Sequence, residues 1–172
     1  MTNNTPSLSG ARKIIVLGCS GCGKSTFARK LHAKTGIPLY HLDNVWWNPD
    51  RTHVSRDEFD RRLDVILRGD KWIVDGDYSR TYEVRIRACD TVIFLDFGED
   101  ECMKGITERV GKPRDDIPWT EQALDPELVA LVRRYKTENR PALLDLFKKY
   151  PEKRLVVFGS RNEADGWLFD LK

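Results

Sequence analysis

Long hydrophobic runs are missing from this chain. No apolar stretch approaches the ~20 residues that a bilayer-spanning helix needs, so a membrane protein is not expected. Cysteine is sparse, four in 172 residues, and at that chain length four do not suggest a disulfide framework. Charge of one sign is also lacking: 29 Lys plus Arg face 27 Asp plus Glu, a formal net charge of +2. Affinity for a phosphate backbone needs clustered cations, so direct binding to nucleic acid is not expected. The polar segment Met1 to Gly10 carries no apolar core of a secretory signal. There is no internal repeat and no low-complexity tract. With 40% apolar and 33% charged residues, the composition is globular. These absences leave the expectation of a cytoplasmic protein: a disordered tail over 1–10, then one domain over 11–172.

The pattern inside that domain alternates. Lys13-Ile14-Ile15-Val16-Leu17 is a continuous apolar run ending in glycine, as suits a strand buried on both faces of a parallel sheet. A helical stretch follows from Lys24 and stops near Gly36. Short strands are expected over Ile37 to Leu42, over Trp72 to Val74 and over Thr91 to Leu95. A helix between the first two starts on the capping box at Ser55 and Glu58 and closes at Gly69. Residues from Glu99 to Gly111 are weakly helical, and Lys112 to Trp119 reads as a charged loop. Asp125-Pro126 signals a helix start, another helical face carries Leu143, Leu146, Phe147 and Tyr150, and Arg154 to Phe158 reads as a fifth strand before a last short helix. Strands alternating with helices predict an α/β fold with a five-stranded parallel sheet and helices on both faces. In such sheets ligands bind beyond the carboxyl ends of the strands. Gly18, Asp43, Asp75 and Asp96 all fall there.

Gly18-Cys19-Ser20-Gly21-Cys22-Gly23-Lys24-Ser25 fits the phosphate-binding pattern G-x-x-x-x-G-K-[ST], with a buried strand before it and a helix after it. Its glycines allow a tight turn whose N–H groups converge on phosphate oxygens, and the helix N-terminus adds a dipole that favours anions. The segment thus predicts an ATP-binding P-loop, with contacts from Gly18, Ser20, Gly21, Cys22, Gly23, Lys24, Ser25 and Thr26. Lys24 would reach the β- and γ-phosphates, and Ser25 would be a ligand of Mg²⁺. Cys19 and Cys22 form a C-x-x-C inside the loop. A zinc site needs about four ligands, and Cys89 and Cys102 supply no second close pair. Two readings remain for the pair: a redox-sensitive disulfide, or small residues at variable loop positions.

Further motifs narrow the kind of P-loop protein. Trp72-Ile73-Val74-Asp75-Gly76-Asp77-Tyr78-Ser79-Arg80 followed by Thr91-Val92-Ile93-Phe94-Leu95-Asp96 resembles the stretch of adenylate kinases in which a strand ends in Asp-Gly, an Arg follows and the next strand reads V-I-F-L-D. To these add His41-Leu42-Asp43, Trp47 and Pro49, Tyr78-Ser79-Arg80-Thr81, Arg85, then Gly111-Lys112 with Arg114 and Asp116, and Ser160-Arg161 after the last strand. Together, over roughly residues 12 to 170, they resemble the bacterial DNA topology modulation (FlaR-like) proteins, a branch of the adenylate-kinase-related P-loop kinases. The resemblance implies that Asp75 helps hold Mg²⁺ through water and that Arg80 contacts phosphate. It also implies a small lid at approximately 99–125. Where that family has Asn, this chain has Asp77. Its Pro-Arg-Trp and following Arg are replaced by Phe97-Gly98-Glu99-Asp100 and Gly105, which leaves Arg109 and Arg114 as the lid cations.

Phosphoryl transfer needs positioning and charge neutralisation more than covalent help from the protein. The resemblance therefore implies an ATP–Mg²⁺-dependent phosphotransferase similar to nucleoside monophosphate kinases, acting on a small acceptor. Arg80 and Arg85 would contact the acceptor's phosphate, Trp47 would stack on a planar acceptor, and Arg161 would lie near the adenine. Two other readings stay open. An alcohol kinase would use Asp43 as a base at the acceptor hydroxyl. A regulator would bind or slowly hydrolyse the nucleotide without a small-molecule acceptor.

Overall fold

The apolar run is β1, Lys13–Gly18, and in the computed structural model, which describes residues 7–171, Ile14 through Leu17 are inaccessible to solvent. Residues 1–6 of the expected tail, like Lys172, lie outside the described residues. Nearer the domain, Arg154 donates to the carbonyl oxygens of Ser7 and Ser9, both at 3.1 Å.

The remaining strands are β2 Leu39–His41, β3 Trp72–Asp75, β4 Thr91–Leu95 and β5 Arg154–Phe158. Among the described residues they form one five-stranded sheet in the order β2-β3-β1-β4-β5, and every pairing is parallel. Val16 is level with Asp75, and Asp75 with His41. Gly18 is level with Leu95, and Leu95 with Phe158. The register therefore brings the carboxyl ends of all five strands to one edge.

Helices connect these strands: α1 Lys24–Thr35, α2 Leu42–Trp46, α3 Arg56–Arg68, α4 Tyr82–Ala88, α5 Glu99–Glu108, α6 Pro126–Tyr135, α7 Asn139–Lys149 and α8 Arg161–Asp170. Their starts follow local chemistry. Ser55 Oγ accepts from the Glu58 N–H at 3.1 Å, Asp125 Oδ1 from the Glu127 N–H at 2.8 Å, and Ser160 Oγ from the Glu163 N–H at 3.3 Å. Each satisfies an N–H that the helix itself leaves unpaired. Three acids, Glu99, Asp100 and Glu101, open α5, where the helix dipole favours them. No helix of the described residues is long and apolar enough to cross a membrane.

Two elements differ from the sequence expectation. The second strand is three residues rather than six, because the chain turns into the short helix α2 directly after His41. That turn places Asp43 in the first turn of a helix at the sheet edge. The fifth strand is buried on one face only: Val156 and Phe158 are covered, while Leu155 and Val157 are exposed. As an edge strand it has α8 to cover it on one side.

Arg85 on α4 is wholly buried. Its guanidinium donates to the carbonyl oxygens of Gly76 at 2.9 Å, Asp77 at 2.6 Å, Tyr78 at 3.3 Å and Thr81 at 3.3 Å. Burial lowers its pKa to about 10, so it stays charged at neutral pH. The side chain is a clamp on the turn between β3 and α4, and the acceptor contact expected of it is replaced by backbone contacts. Replacing Arg85 by Met should leave these carbonyls unpaired and cost about 3 kcal/mol or more. Arg80→Ala, at a half-exposed ion pair with Asp60, should cost less than about 1 kcal/mol. Urea-unfolding midpoints at pH 7 measure both.

Candidate active site

At the end of β1 the chain makes the turns that glycine permits: φ is 148° at Gly18, 83° at Gly21 and 94° at Gly23. Space demands glycine as well. A Cβ on Gly18 would stand 2.6 Å from the Leu95 carbonyl oxygen, and one on Gly21 would overlap the Cys102 carbonyl of α5. In turn, a Cβ on Gly105 would overlap the Gly21 carbonyl. Glycine inside a helix costs roughly 1 kcal/mol relative to Ala, and at Gly105 that cost is met by backbone-to-backbone contact with the P-loop. The first part of the expected lid is therefore a support for the loop. After α5, Arg109, Lys112, Pro113, Arg114 and Asp116 line the cleft.

Ser20, Gly21, Gly23, Lys24, Ser25 and Thr26 line one cleft of about 630 Å³. Gly18, Cys19 and Cys22 are not among its lining residues, and the two cysteines are buried. The Cys22 N–H donates to the Cys19 carbonyl at 3.2 Å. Burial pushes the Cys22 thiol up to about 11, and all four cysteines are free and buried. Lys24 Nζ donates to the Cys19 carbonyl at 2.9 Å. Burial opposes its charge, but the negative groups around it, Asp77 and Asp75 among them, outweigh burial and raise its pKa. Arg161, at the start of α8, also lines the cleft and approaches the Gly21 carbonyl at 3.5 Å.

Asp43, Asp77 and Tyr78 line the β2–β3 side of the cleft with Trp46 and Trp47. Tyr78 Oη donates to Asp43 Oδ1 at 2.8 Å. Tyr78 holds a left-handed backbone with φ 33°, rare for a residue with a side chain. The Arg85 clamp on its carbonyl and on its two predecessors keeps it there. Burial raises the Asp43 pKa above its ordinary value, against the lowering effect of the Tyr78 hydrogen bond. Trp47 meets the lid's Trp119 edge-on, with centroids 5.1 Å apart.

Asp75 is buried behind the cleft wall, with His41 Nδ1 2.7 Å from its Oδ1. Burial alone would lower the His41 pKa, but hydrogen bonding and attraction from Asp75 raise it. Asp96, at the end of β4, is held by a two-point contact from Arg140, both at 2.7 Å. Arg80 is not part of the cleft wall. Its guanidinium grips Asp60 of α3 at 2.8 and 2.6 Å, because the turn after Tyr78 points it outward along α3.

The lid reaches the P-loop through a residue that sequence reasoning noticed only as part of the family resemblance. Ser25 Oγ donates to Asp116 Oδ2 at 2.6 Å. Arg114 grips the same carboxylate at 2.9 and 2.5 Å and reaches Glu121 at 3.0 Å. Arg109 donates to Glu121 at 2.8 Å. Both lid cations line the cleft, and both are paired within the lid. Glu121 carried no signal in the sequence, and Tyr78 and Asp77 entered it only through the family resemblance.

The donor set at Ser25 is a hydroxyl with carboxylates nearby, oxygen ligands that suit Mg²⁺. Among the described residues no group of three or more His, Cys, Asp or Glu side chains forms a metal site. Mg²⁺ needs none, because it takes one or two protein ligands plus phosphates.

The parallel sheet in this strand order, with a P-loop after its central strand, defines the class: a P-loop kinase-like fold. Solved structures share it. A shikimate kinase from Bacteroides thetaiotaomicron superposes with a TM-score of 0.60 at 14% identity, over 93% of this chain and 96% of its own. A sugar kinase from a Janibacter species gives 0.52 at 18% identity, over 93% and 91%. At such identities the likeness is one of fold. No protein-family model matches the chain, and no curated protein matches it by sequence.

Because Asp116 accepts from Ser25 and Arg114, its carboxyl is held down to about 2, below its ordinary 3.8, although burial opposes this. A folded-state pKa below the unfolded one stabilises above the unfolded value, and that stabilisation is lost as pH falls through the folded value. The shift corresponds to roughly 2 kcal/mol. Asp116→Asn should therefore be less stable than wild type at pH 7, with the gap closing between about pH 5 and pH 2. Urea unfolding across that range measures it. A second expectation concerns the loop's support: Gly105→Ala should weaken ATP binding about tenfold or more by displacing Gly21, as read by calorimetric titration.

Proposed function

We propose that this protein is an ATP–Mg²⁺-dependent phosphotransferase whose acceptor is a hydroxyl group, with Asp43 as the base. The observation that carries the reading is the placement of Asp43. It faces the same cleft as Lys24, its pKa is raised by burial, and it is oriented by Tyr78. A nucleoside monophosphate acceptor would need cations at its phosphate. The two arginines expected to supply them are engaged elsewhere, Arg80 on Asp60 and Arg85 on backbone carbonyls. The names of the two similar structures, a shikimate kinase and a sugar kinase, accord with an acceptor other than a nucleotide.

The chain's own groups divide the work. The P-loop amides and Lys24 hold the β- and γ-phosphates and neutralise charge as it builds on the transferring group. Arg161 lies beside Gly23 on the β5 side, where a nucleotide base would extend. Ser25, with Asp75 acting through water, would hold Mg²⁺, which supplies charge neutralisation across the β- and γ-phosphates when bound. Tyr78 holds Asp43 Oδ1, and among the described residues no donor is bonded to Oδ2. That oxygen takes the hydroxyl proton as the acceptor's oxygen attacks the γ-phosphorus and the bond to the β,γ-bridging oxygen breaks, releasing ADP. Arg109 and Arg114, which reach the cleft from the lid, would turn to the phosphates once nucleotide displaces Asp116 from Ser25.

The test is ADP release from ATP–Mg²⁺ with a panel of small alcohols and nucleoside monophosphates, using Lys24→Ala as the blank. Asp43→Asn should lower kcat by about 10²-fold to 10⁴-fold while ATP affinity stays within a few-fold of wild type. Arg80→Ala should leave turnover nearly unchanged. Activity should rise with pH as Asp43 loses its proton, with a midpoint above the ordinary Asp value. Stimulation only by nucleoside monophosphates, abolished in Arg80→Ala, would sink the proposal. Slow Lys24-dependent hydrolysis with no acceptor effect would favour a nucleotide-binding regulator.

A further inference from the structure

In this structure the side chains that a polyphosphate would use are bonded to the chain itself. Lys24 Nζ donates to the Cys19 carbonyl at 2.9 Å. Ser25, the second residue of α1, donates to Asp116 Oδ2 at 2.6 Å. Arg114 holds both oxygens of the same carboxylate, at 2.9 and 2.5 Å. Asp116 is only 2% exposed. Burial opposes its charge, but the bonds from Arg114 and Ser25 keep its carboxyl well below the ordinary value, so it is ionised at neutral pH. A carboxylate in this place gains what a phosphate would gain: a hydroxyl donor, a guanidinium and the positive end of a helix.

The segment that carries Asp116 is tied down on several sides. Asn44 of α2 donates to the Asp115 carbonyl at 2.8 Å. Arg29 of α1 faces the Asp115 carboxylate at 3.8 Å. Trp119 meets Trp47 edge-on, with centroids 5.1 Å apart. Glu121 is shared by Arg109 and Arg114, at 2.8 and 3.0 Å. One segment thus bridges the P-loop and α2, the helix that bears Asp43.

We propose that residues 112–119 form an autoinhibitory latch, in which Asp116 takes the place of phosphate at Ser25 and Arg114 and has to be displaced for ATP to bind. The proposal rests on the phosphotransferase reading and adds the regulation of its nucleotide site. A latch of this kind lowers the apparent affinity for ATP by the fraction of molecules that are unlatched. Every anchor of the segment enters that fraction, including Asn44, which is exposed and is not among the cleft-lining residues. Because the segment also packs on α2, its release on the nucleotide side frees the acceptor side too, which couples the two sites.

The experiment measures ATP affinity by calorimetric titration, with and without Mg²⁺, beside the urea-unfolding midpoint. Asp116→Ala should unfold at lower urea than wild type and yet bind ATP about tenfold more tightly in both conditions. Asn44→Ala should bind ATP about twofold to threefold more tightly. A residue that only supports the fold would lose affinity together with stability, so the opposite signs are the signature of a latch. Saturating ATP–Mg²⁺ should also move the tryptophan fluorescence of wild type toward that of unliganded Asp116→Ala, as Trp119 leaves Trp47. Affinity that is unchanged or weaker in Asp116→Ala would overturn the latch, as would fluorescence unmoved by ATP–Mg²⁺. Weakening confined to the Mg²⁺ titration would make Asp116 a metal ligand instead. No ATP binding by wild type or either variant would overturn the phosphotransferase reading as well. If Asp116→Ala does not fold, Asn44→Ala decides: tighter binding supports the latch, and unchanged or weaker binding overturns it.

Discussion

The cleft depends on a close approach between backbones. Gly21 of the P-loop and Gly105 of α5 touch without side chains between them, and Gly18 packs close to Leu95 of β4. The loop is thereby wedged between the central strands and the helix that begins the lid. Protein interiors transmit such contacts rigidly, because they are packed as densely as organic crystals. The orientation of the P-loop amides, and the place where Lys24 and Ser25 emerge, follow from that wedge. The glycine at position 105 has a mechanical reason in the structure: any side chain there would enter the loop.

A second constraint governs the other side. Arg85 binds the carbonyls of the turn after β3 and so holds Tyr78 in a left-handed conformation. Tyr78 then reaches Asp43, which α2 has brought to the same edge. A buried charge thus acts as a scaffold, and a strained tyrosine aims the carboxylate. The chain Arg85–turn–Tyr78–Asp43 links the core to the cleft without Arg85 meeting any ligand. Across the cleft, Asp116 and Arg114 bind each other and Ser25, so the lid rests on the P-loop through the hydroxyl that Mg²⁺ would use.

Much of this was legible in the chain. The glycine pattern ending in Lys24-Ser25, the apolar runs and the cap signals at Ser55 and Asp125 are local features, and local backbone chemistry decides them wherever they occur. They yield the P-loop, the strand positions and the parallel sheet. Asp43 was legible as a strand-end carboxylate. The family resemblance places both Arg80 and Arg85 at phosphate. Sequence distance says nothing of direction, and a turn with a positive φ sends one outward to Asp60 and the other into the core.

By itself the sequence determined the P-loop and the alternation that makes a parallel α/β sheet, because each is written in neighbouring residues. Only the tertiary structure decided which charges are free. The ion pairs of Arg80 with Asp60 and Arg114 with Glu121, and the hydrogen bond from Ser25 to Asp116, join segments up to 91 residues apart. A guanidinium committed to a carboxylate or a carbonyl is no longer a ligand. The physical reason is that hydrogen-bonding capacity is finite and is claimed by whichever partner the fold brings within about 3 Å.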